Sequence, residues 1–263
     1  MTDEAVLTQQ RHGPVLVAIL NRPTKGNSLN QPLIKALDRL AEQIELTTAD
    51  ADGPRALVIT GAGAKAFSAG ADITELDGID GPAAREQMRR GQRVFDRLEQ
   101  LPVVVIAAVN GFALGGGLEL AMAADIRIAT DSARLGQPEI TLANLPGWGG
   151  TQRLPRLIGR GPATELILTG DLVTAQRALE IGLVEHVAQD SLAAAIALAQ
   201  RIAERSPTAV RGAKRAIRAG LDGGVPTGLL VEADAVADCC ETAEQHAAVQ
   251  AFLQRRTSRP TKP

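Results

Sequence analysis

The sequence predicts an α/β protein that ends in a helical region. The main evidence is an alternation of short apolar runs, which are typical of strands, with longer segments of helical spacing. The run Val103–Val109 contains seven apolar residues in succession, which is typical of a strand covered on both faces. From about Ala163 onward the pattern becomes mainly helical, which favours an appended helical layer.

The individual elements follow from the same patterns. The predicted strands are Val15–Leu20, Ala56–Thr60, Val103–Val109 and Ile126–Ala129. The predicted helices of the first part are Gln31–Leu46, Pro82–Gln100 and a segment that opens after Gly115–Gly117. Proline near the start of the first two fits their N-terminal turns, where the missing N–H group costs no hydrogen bond.

Composition excludes several classes of function. The chain has 263 residues, 45% of them apolar, and a formal net charge of −2, which argues against general binding to nucleic acid. Cys239 and Cys240 are adjacent and alone, so they predict neither a disulfide framework nor a metal site. The polar N-terminus lacks the apolar core of a signal peptide, and no apolar run is long enough to span a membrane. We therefore expect a cytoplasmic protein.

Two glycine-rich elements and two carboxylates are the candidates for chemistry. Residues 69–72 (AGAD) and 115–117 (GGG) each follow a predicted strand, and the second precedes a helix. Backbone N–H groups that converge from two such elements would form an oxyanion hole, although tight turns alone would explain the same glycines. Glu119 lies in the first turn of an apolar helix, and Glu139 follows a proline. Two such carboxylates can divide acid and base roles, which indicates proton transfer beside a polarised carbonyl.

Several longer blocks carry a resemblance to a known family. They are NRPTKGNSLN (21–30), AFSAGAD (66–72), AAVNGFALGGGLELA (107–121), GQPEI (136–140), PGWGGTQRL (146–154) and TGDLVTAQRALEIGLV (169–184). These blocks resemble, in order and over nearly the whole chain, the signatures of the crotonase, or enoyl-CoA hydratase/isomerase, family.

The resemblance implies a fold, an assembly and a set of site residues. The fold would be a spiral of repeated strand–strand–helix units in residues 1–200, followed by helices in 201–263 that build trimers, which usually pair into hexamers. Glu119 and Glu139 would be the catalytic carboxylates, and the N–H groups of Ala71 and Gly116 would form the oxyanion hole. Gly147 would help to position the reacting water.

The same resemblance implies the substrate and its contacts. An acyl-CoA thioester would be the substrate, with no further cofactor and no metal. The implied CoA-binding residues are Arg22, Lys25, Ala69, Asp72, Ile73, Arg255 and Arg256. Trp148 would line the acyl pocket, where smaller residues are common in this block.

Three activities fit these motifs. Because both glutamates are present, the sequence favours hydration of a trans-2-enoyl-CoA to a 3-hydroxyacyl-CoA, in fatty-acid or related acyl-CoA breakdown. A Δ3,Δ2-enoyl-CoA isomerase needs the oxyanion hole and one base, and the motifs alone leave it open. A non-catalytic acyl-CoA-binding protein is the third possibility, but it would need neither carboxylate.

Overall fold

The computed structural model describes residues 5–48, 50 and 52–257, with the backbone alone for 256 and 257. The chain divides into two compact units, Met1–Gln200 and Arg201–Pro263. Every helix within the described ranges is too short or too polar to cross a membrane.

Two sheets organise the first unit. The strands found among the described residues are β1 Leu7–His12, β2 Val15–Leu20, β3 Ala56–Gly61, β4 Ala66–Ser68, β5 Val104–Val109, β6 Phe112–Leu114, β7 Ile126–Thr130, β8 Arg134–Gly136, β9 Leu172–Thr174 and β10 His186–Ala188. The larger sheet has the order β1-β2-β3-β5-β7-β10, and the smaller has the order β4-β6-β8-β9. From β2 to β10 the larger sheet is parallel, and β1 alone runs antiparallel at its edge.

Helices lie between the strands of the first unit, and helices alone follow the last described strand. Those in the described residues are α1 Gln31–Thr47, α2 Gly81–Glu99, α3 Gly116–Met122, α4 Gly150–Ile158, α5 Arg160–Thr169, α6 Ala175–Glu180, α7 Ser191–Ala203, α8 Pro207–Gly223, α9 Val225–Cys240 and α10 Ala243–Thr257. Short 3₁₀ helices occur at Pro23–Lys25, Ile73–Glu75 and Pro138–Leu142.

A repeated unit explains the two sheets. Each repeat places one strand in the larger sheet, the next in the smaller sheet, and then a helix: β3, β4 and α2, followed by β5, β6 and α3. Parallel pairing within both sheets then stacks successive repeats as turns of a spiral. The carboxyl ends of β4, β6 and β8 consequently meet at one edge, which is a common place for a ligand site.

Local sequence accounts for the best-defined elements. In α1, the Asn30 side chain accepts a hydrogen bond from the Leu33 N–H group and so caps the helix. In α2, Asp80 caps in the same way by accepting from the N–H group of Ala83. All six residues of β5 are buried, as the predicted apolar run requires for a central strand.

The second unit contains a pair of helices that pack through glycine. Gly224, with φ +81°, separates α8 from α9. A Cβ atom on Gly228 would lie 2.8 Å from the Cα atom of Gly220, and one on Gly212 would lie 2.9 Å from the Cβ atom of Ala235. The absence of side chains at these glycines therefore allows the two helices to approach closely.

The predicted α/β class and its main elements are confirmed, but several short strands were not predicted. The edge strand β1 has the sequence LTQQRH, and four of its six residues are exposed. It carries no apolar alternation that would have revealed it. Each strand of the smaller sheet has three residues, too few to show a period of two.

Candidate active site

A cavity of about 790 Å³ lies where the strands of the smaller sheet end. Both predicted carboxylates, Glu119 and Glu139, line it. The residues of the two glycine-rich elements that line it are Ala69, Gly70, Ala71, Gly115 and Gly116. The fold thus brings together groups that lie far apart in the sequence.

The first glycine-rich element follows β4 and pairs with Leu29. The Leu29 N–H group donates to the Gly70 carbonyl at 2.8 Å, and the Asp72 N–H group donates to the Leu29 carbonyl at 3.0 Å. In such a parallel bridge the N–H group of the intervening residue, Ala71, points away from the partner strand. The Gly70 N–H group is held by the Ser68 hydroxyl oxygen at 3.2 Å, which fixes the turn before Ala71.

The second glycine-rich element brings another N–H group to the same place. Gly116 is the first residue of α3, so its N–H group has no acceptor within the helix. A Cβ atom on Gly116 would lie 3.3 Å from the Ala71 nitrogen, and one on Gly70 would lie 3.3 Å from the Gly116 nitrogen. The two nitrogens therefore face a shared space. Gly115 has φ +50°, a conformation that favours glycine over other residues.

Glu119 is a buried carboxylate held by backbone donors. Its exposed fraction is 2%. The N–H groups of Trp148 and Gly150 donate to its Oε1 atom at 2.8 and 2.6 Å. Oε2 accepts from none of the residues that the structure describes, so this oxygen is available to a ligand in the cavity.

Burial is also the main cause of a raised pKa at Glu119. Desolvation, together with the charge of Glu139, raises the pKa of Glu119 to about 7 despite the opposing effects of the two N–H donors and of Arg153. A carboxyl group with such a pKa can act as a base or an acid near neutral pH.

Glu139 lies opposite the glycine turn, in the 3₁₀ helix Pro138–Leu142. The amide nitrogen of the fully buried Gln137, oriented to donate, lies 3.0 and 3.1 Å from the two carboxylate oxygens of Glu139. A Cβ atom on Gly115 would lie 2.8 Å from Oε1 of Glu139, so only glycine leaves room for the carboxylate there. Burial raises the pKa of Glu139 to about 7 as well.

The turn that holds Glu119 is itself fixed by Arg153. The Arg153 Nη1 atom donates to the Trp148 carbonyl at 2.9 Å, and its Nη2 atom forms ion pairs with Asp96 and Glu99 at 2.6 and 2.8 Å. Gly149 has φ +110°, and a Cβ atom there would lie 2.2 Å from Arg153 Nη1. Arg153 lies within the block PGWGGTQRL, but its sequence neighbours give no sign of this role.

Two further predicted residues line the cavity beside this turn. Gly147 does so, and its carbonyl accepts a hydrogen bond from the Gln92 side chain at 2.8 Å. Trp148 is 3% exposed, and its ring packs edge-on against Phe95 with the ring centres 5.5 Å apart. Their roles in positioning water and in lining the acyl pocket stay predictions.

The predicted CoA-binding residues of the first unit occupy different surroundings. Ala69 and Ile73 line the cavity, and Lys25 is exposed. Arg22 and Asp72 instead form an ion pair with each other at 2.8 Å. Burial alone would raise the pKa of Asp72, but hydrogen bonds from Thr74 and Arg22 outweigh it and hold the pKa below its usual value. Arg22 and Asp72 therefore brace two loops, and any contact of theirs with CoA stays a prediction.

The predicted CoA-binding residues of the second unit lie on α10. Arg255 is exposed, and its Nε atom donates to the carbonyl of Ala251 at 3.1 Å. The side chain of Arg256 lies outside the described residues. Among the residues that are described, no three His, Cys, Asp or Glu side chains are placed to hold a metal ion.

Comparison with known proteins identifies the family. The family model described as enoyl-CoA hydratase/isomerase matches residues 10–261. The chain belongs to the enoyl-CoA hydratase/isomerase family. The match confirms the family that the sequence blocks predict.

Individual members of the enoyl-CoA hydratase/isomerase family are similar over nearly their whole length. The short-chain-enoyl-CoA hydratase of Clostridium acetobutylicum is 43% identical over 249 residues, which is 94% of each chain. The crotonyl-CoA hydratase of Syntrophomonas wolfei is 43% identical over 251 residues, again 94% of each chain. The crystal structure of an enoyl-CoA hydratase from Bacillus anthracis superposes with a TM-score of 0.89 at 43% identity, covering 95% of this chain and 96% of that one.

Proposed function

We propose that this protein is an enoyl-CoA hydratase, which adds water across the 2,3 double bond of a trans-2-enoyl-CoA to give a 3-hydroxyacyl-CoA. The observation that carries the proposal is that the buried carboxylate of Glu119 and the half-buried carboxylate of Glu139 line one cavity together with Ala71 and Gly116. Membership of the enoyl-CoA hydratase/isomerase family supports it, as do the names of the similar proteins. The reaction needs no cofactor besides the CoA thioester, which is the substrate.

The thioester carbonyl is placed between the N–H groups of Ala71 and Gly116. As water adds, negative charge develops on that oxygen, and two preformed donors stabilise it most when the charge is largest. Losing one such donor typically lowers the rate about 10²–10³-fold. These donors come from backbone, so they require the glycine-rich turns rather than a particular side chain.

Glu119 then activates the water. Its Oε1 atom is held by two N–H groups, so Oε2 accepts the proton of a water beside the β-carbon, with Gly147 helping to position that water. The water oxygen bonds to the β-carbon, and the electron pair of the double bond moves toward the thioester oxygen. Glu139 donates its proton to the α-carbon as the enolate collapses. In the reverse direction the two residues exchange roles.

The raised pKa values fit a pair of carboxyls that exchange protons near neutral pH. Both carboxyls have a pKa raised to about 7, mainly by burial, and the charge of Glu139 contributes to the value at Glu119. Near neutral pH the pair therefore carries a single proton for much of the time, which is the state that hydration needs. An isomerase needs one base and a binding protein needs neither carboxylate, so the presence of Glu139 beside Glu119 in the cavity favours hydration.

The decisive experiment follows the loss of crotonyl-CoA absorbance. Wild type should hydrate crotonyl-CoA, whereas Glu119→Gln and Glu139→Gln should each lower kcat by about 10²-fold or more. Glu165→Gln is a matched control, because Glu165 is exposed on α5. A wild-type protein that isomerises 3-enoyl-CoA but adds no water to crotonyl-CoA would overturn the proposal.

The assembly and location belong to the same proposal. We infer a cytoplasmic homotrimer or hexamer in which Lys25 and a neighbour's Arg255 or Arg256 bind the CoA phosphates. Exposed apolar residues on the second unit support the association of subunits, since such surfaces are normally covered. They include Ile217, Leu221, Leu230, Val236 and Phe252.

A further inference from the structure

The indole ring of Trp148 is the feature of the cavity that the reaction itself does not require. It is the single tryptophan of the chain, and it is almost completely buried. Its Nε1–H group has no hydrogen-bond partner among the described residues. A buried donor without an acceptor is destabilising, so a smaller apolar residue at this position would avoid that cost.

Two glycines make room for the ring. A Cβ atom on Gly116 would lie 2.6 and 2.7 Å from Cζ3 and Cε3 of Trp148. A Cβ atom on Gly91 would lie 2.3 and 2.4 Å from Nε1 and Cδ1. The six-membered ring therefore contacts the proposed oxyanion hole, while the five-membered ring contacts α2. The indole spans the distance between them.

The backbone of Trp148 ties the same ring to the proposed base. Its N–H group donates to Glu119 at 2.8 Å, and its carbonyl is held by Arg153 at 2.9 Å. Behind the ring, Phe95 packs at 79° to the indole plane and is itself fully buried. The ring is thus backed by the core, and an acyl chain cannot move it aside without disturbing Glu119 or Phe95.

These contacts limit the length of the acyl chain. In the proposed reaction the thioester carbonyl lies at Gly116 and the β-carbon lies at Glu119, so the indole borders the acyl group from its carbonyl to its β-carbon. Met88 lines the same cavity as the indole, and its Sδ atom lies 2.3 Å from where a Cβ atom of Gly147 would be, so the two side chains restrict the space beside Gly147. We propose that Trp148 makes this protein selective for short enoyl-CoA substrates of about four to six carbons. This inference rests on the proposed function.

A chain-length series tests the selectivity. Wild-type kcat/KM should be highest for crotonyl-CoA or 2-hexenoyl-CoA and at least about tenfold lower for 2-decenoyl-CoA, because one excess methylene in a filled pocket typically costs about 10–200-fold. Trp148→Ala should raise kcat/KM for 2-decenoyl-CoA at least about tenfold and lower it for crotonyl-CoA. Trp148→Phe should give intermediate values, and it serves as the conservative variant if the alanine variant does not fold.

Gly91→Ala provides a change in the opposite direction. The added methyl group would overlap Nε1 and push the ring toward the cavity. The ratio of kcat/KM for 2-hexenoyl-CoA to that for crotonyl-CoA should therefore fall, whereas Trp148→Ala should raise it. A merely structural role of Trp148 would lower the rates for all chain lengths by the same factor in both variants.

Tryptophan fluorescence supplies a readout that does not depend on catalysis. Because Trp148 is the single tryptophan, saturated butanoyl-CoA should change the emission of the wild-type protein, whereas CoA without an acyl group should change it less. Equal wild-type rates with crotonyl-CoA and 2-decenoyl-CoA would overturn the length limit but leave the hydratase proposal intact. Absence of hydration for every chain length would instead overturn the proposed function, even where butanoyl-CoA binds.

Discussion

Replacing Glu119 by Gln should remove a large pH-dependent cost from the free energy of unfolding. Burial raises the pKa of Glu119 from 4.5 to about 7, so between these values the folded protein retains a proton that the unfolded chain releases. The folded state binds more protons in this window, and stability therefore falls as pH rises through it. The difference of about 2.5 units between the unfolded and folded pKa values corresponds to about 3 kcal/mol. The free energy of unfolding is lowered by this full amount only at pH values above the folded pKa. Glutamine cannot ionise and carries no such slope.

Urea denaturation at about pH 5 and about pH 8, followed by circular dichroism at one protein concentration, measures the effect. The stability of Glu119→Gln relative to wild type should increase by about 2–3 kcal/mol between the two pH values. Glu165→Gln is the control, since it makes the same substitution at a carboxylate that is exposed on α5 and outside the cavity. Parallel pH profiles for wild type and Glu119→Gln would refute the reasoning, because they would mean that Glu119 ionises alike in both states.

Three further predictions concern the proposed reaction. Arg153→Gln should move the acid limb of the kcat/KM profile to higher pH, because the positive charge that lowers the pKa of Glu119 is lost; Arg153→Lys should move it less. Gly116→Pro should lower kcat about 10²–10³-fold by deleting one N–H donor, with circular dichroism confirming that the variant folds. Arg255→Ala combined with Arg256→Ala should raise KM for crotonyl-CoA more than it changes kcat. A substrate analogue without the 3′-phosphate should be almost unaffected, and equal losses on both substrates would assign these arginines to assembly.

Long periodic segments were predictable from the sequence because their own pattern determines them. The strand β5 and the helix α1 each contain enough apolar residues to show their period, and an asparagine cap marks the start of α1. The edge strand β1 was missed because its exposed side chains carry no such signal. Its structure depends on pairing with β2, which is a tertiary contact that the sequence does not display.

The residues of the candidate site also divide into those that the sequence reveals and those that depend on tertiary contacts. Glu119 could be found because a carboxylate among apolar residues is unusual in itself, and Glu139 because it follows a proline in the block GQPEI. Arg153 could not, since nothing in its neighbours indicates that its guanidinium reaches back to the Trp148 carbonyl. Arg22 and Asp72 form an ion pair at 2.8 Å that the sequence did not predict, and their contact with CoA, which the resemblance implies, stays a prediction.

The turn at residues 147–150 contacts both the proposed base and the cavity. Its N–H groups hold Glu119, and the side chain of Trp148 lines the cavity. At Gly150 this close approach depends on the absence of a side chain, because a Cβ atom there would lie 3.0 Å from Oε1 of Glu119. A substitution at Trp148 that shifts this backbone must therefore change the hydrogen bonds that lower the pKa of Glu119. The pH profile of Trp148→Ala separates the two effects, because a wider cavity alone leaves the acid limb in place and a displaced turn moves it to higher pH.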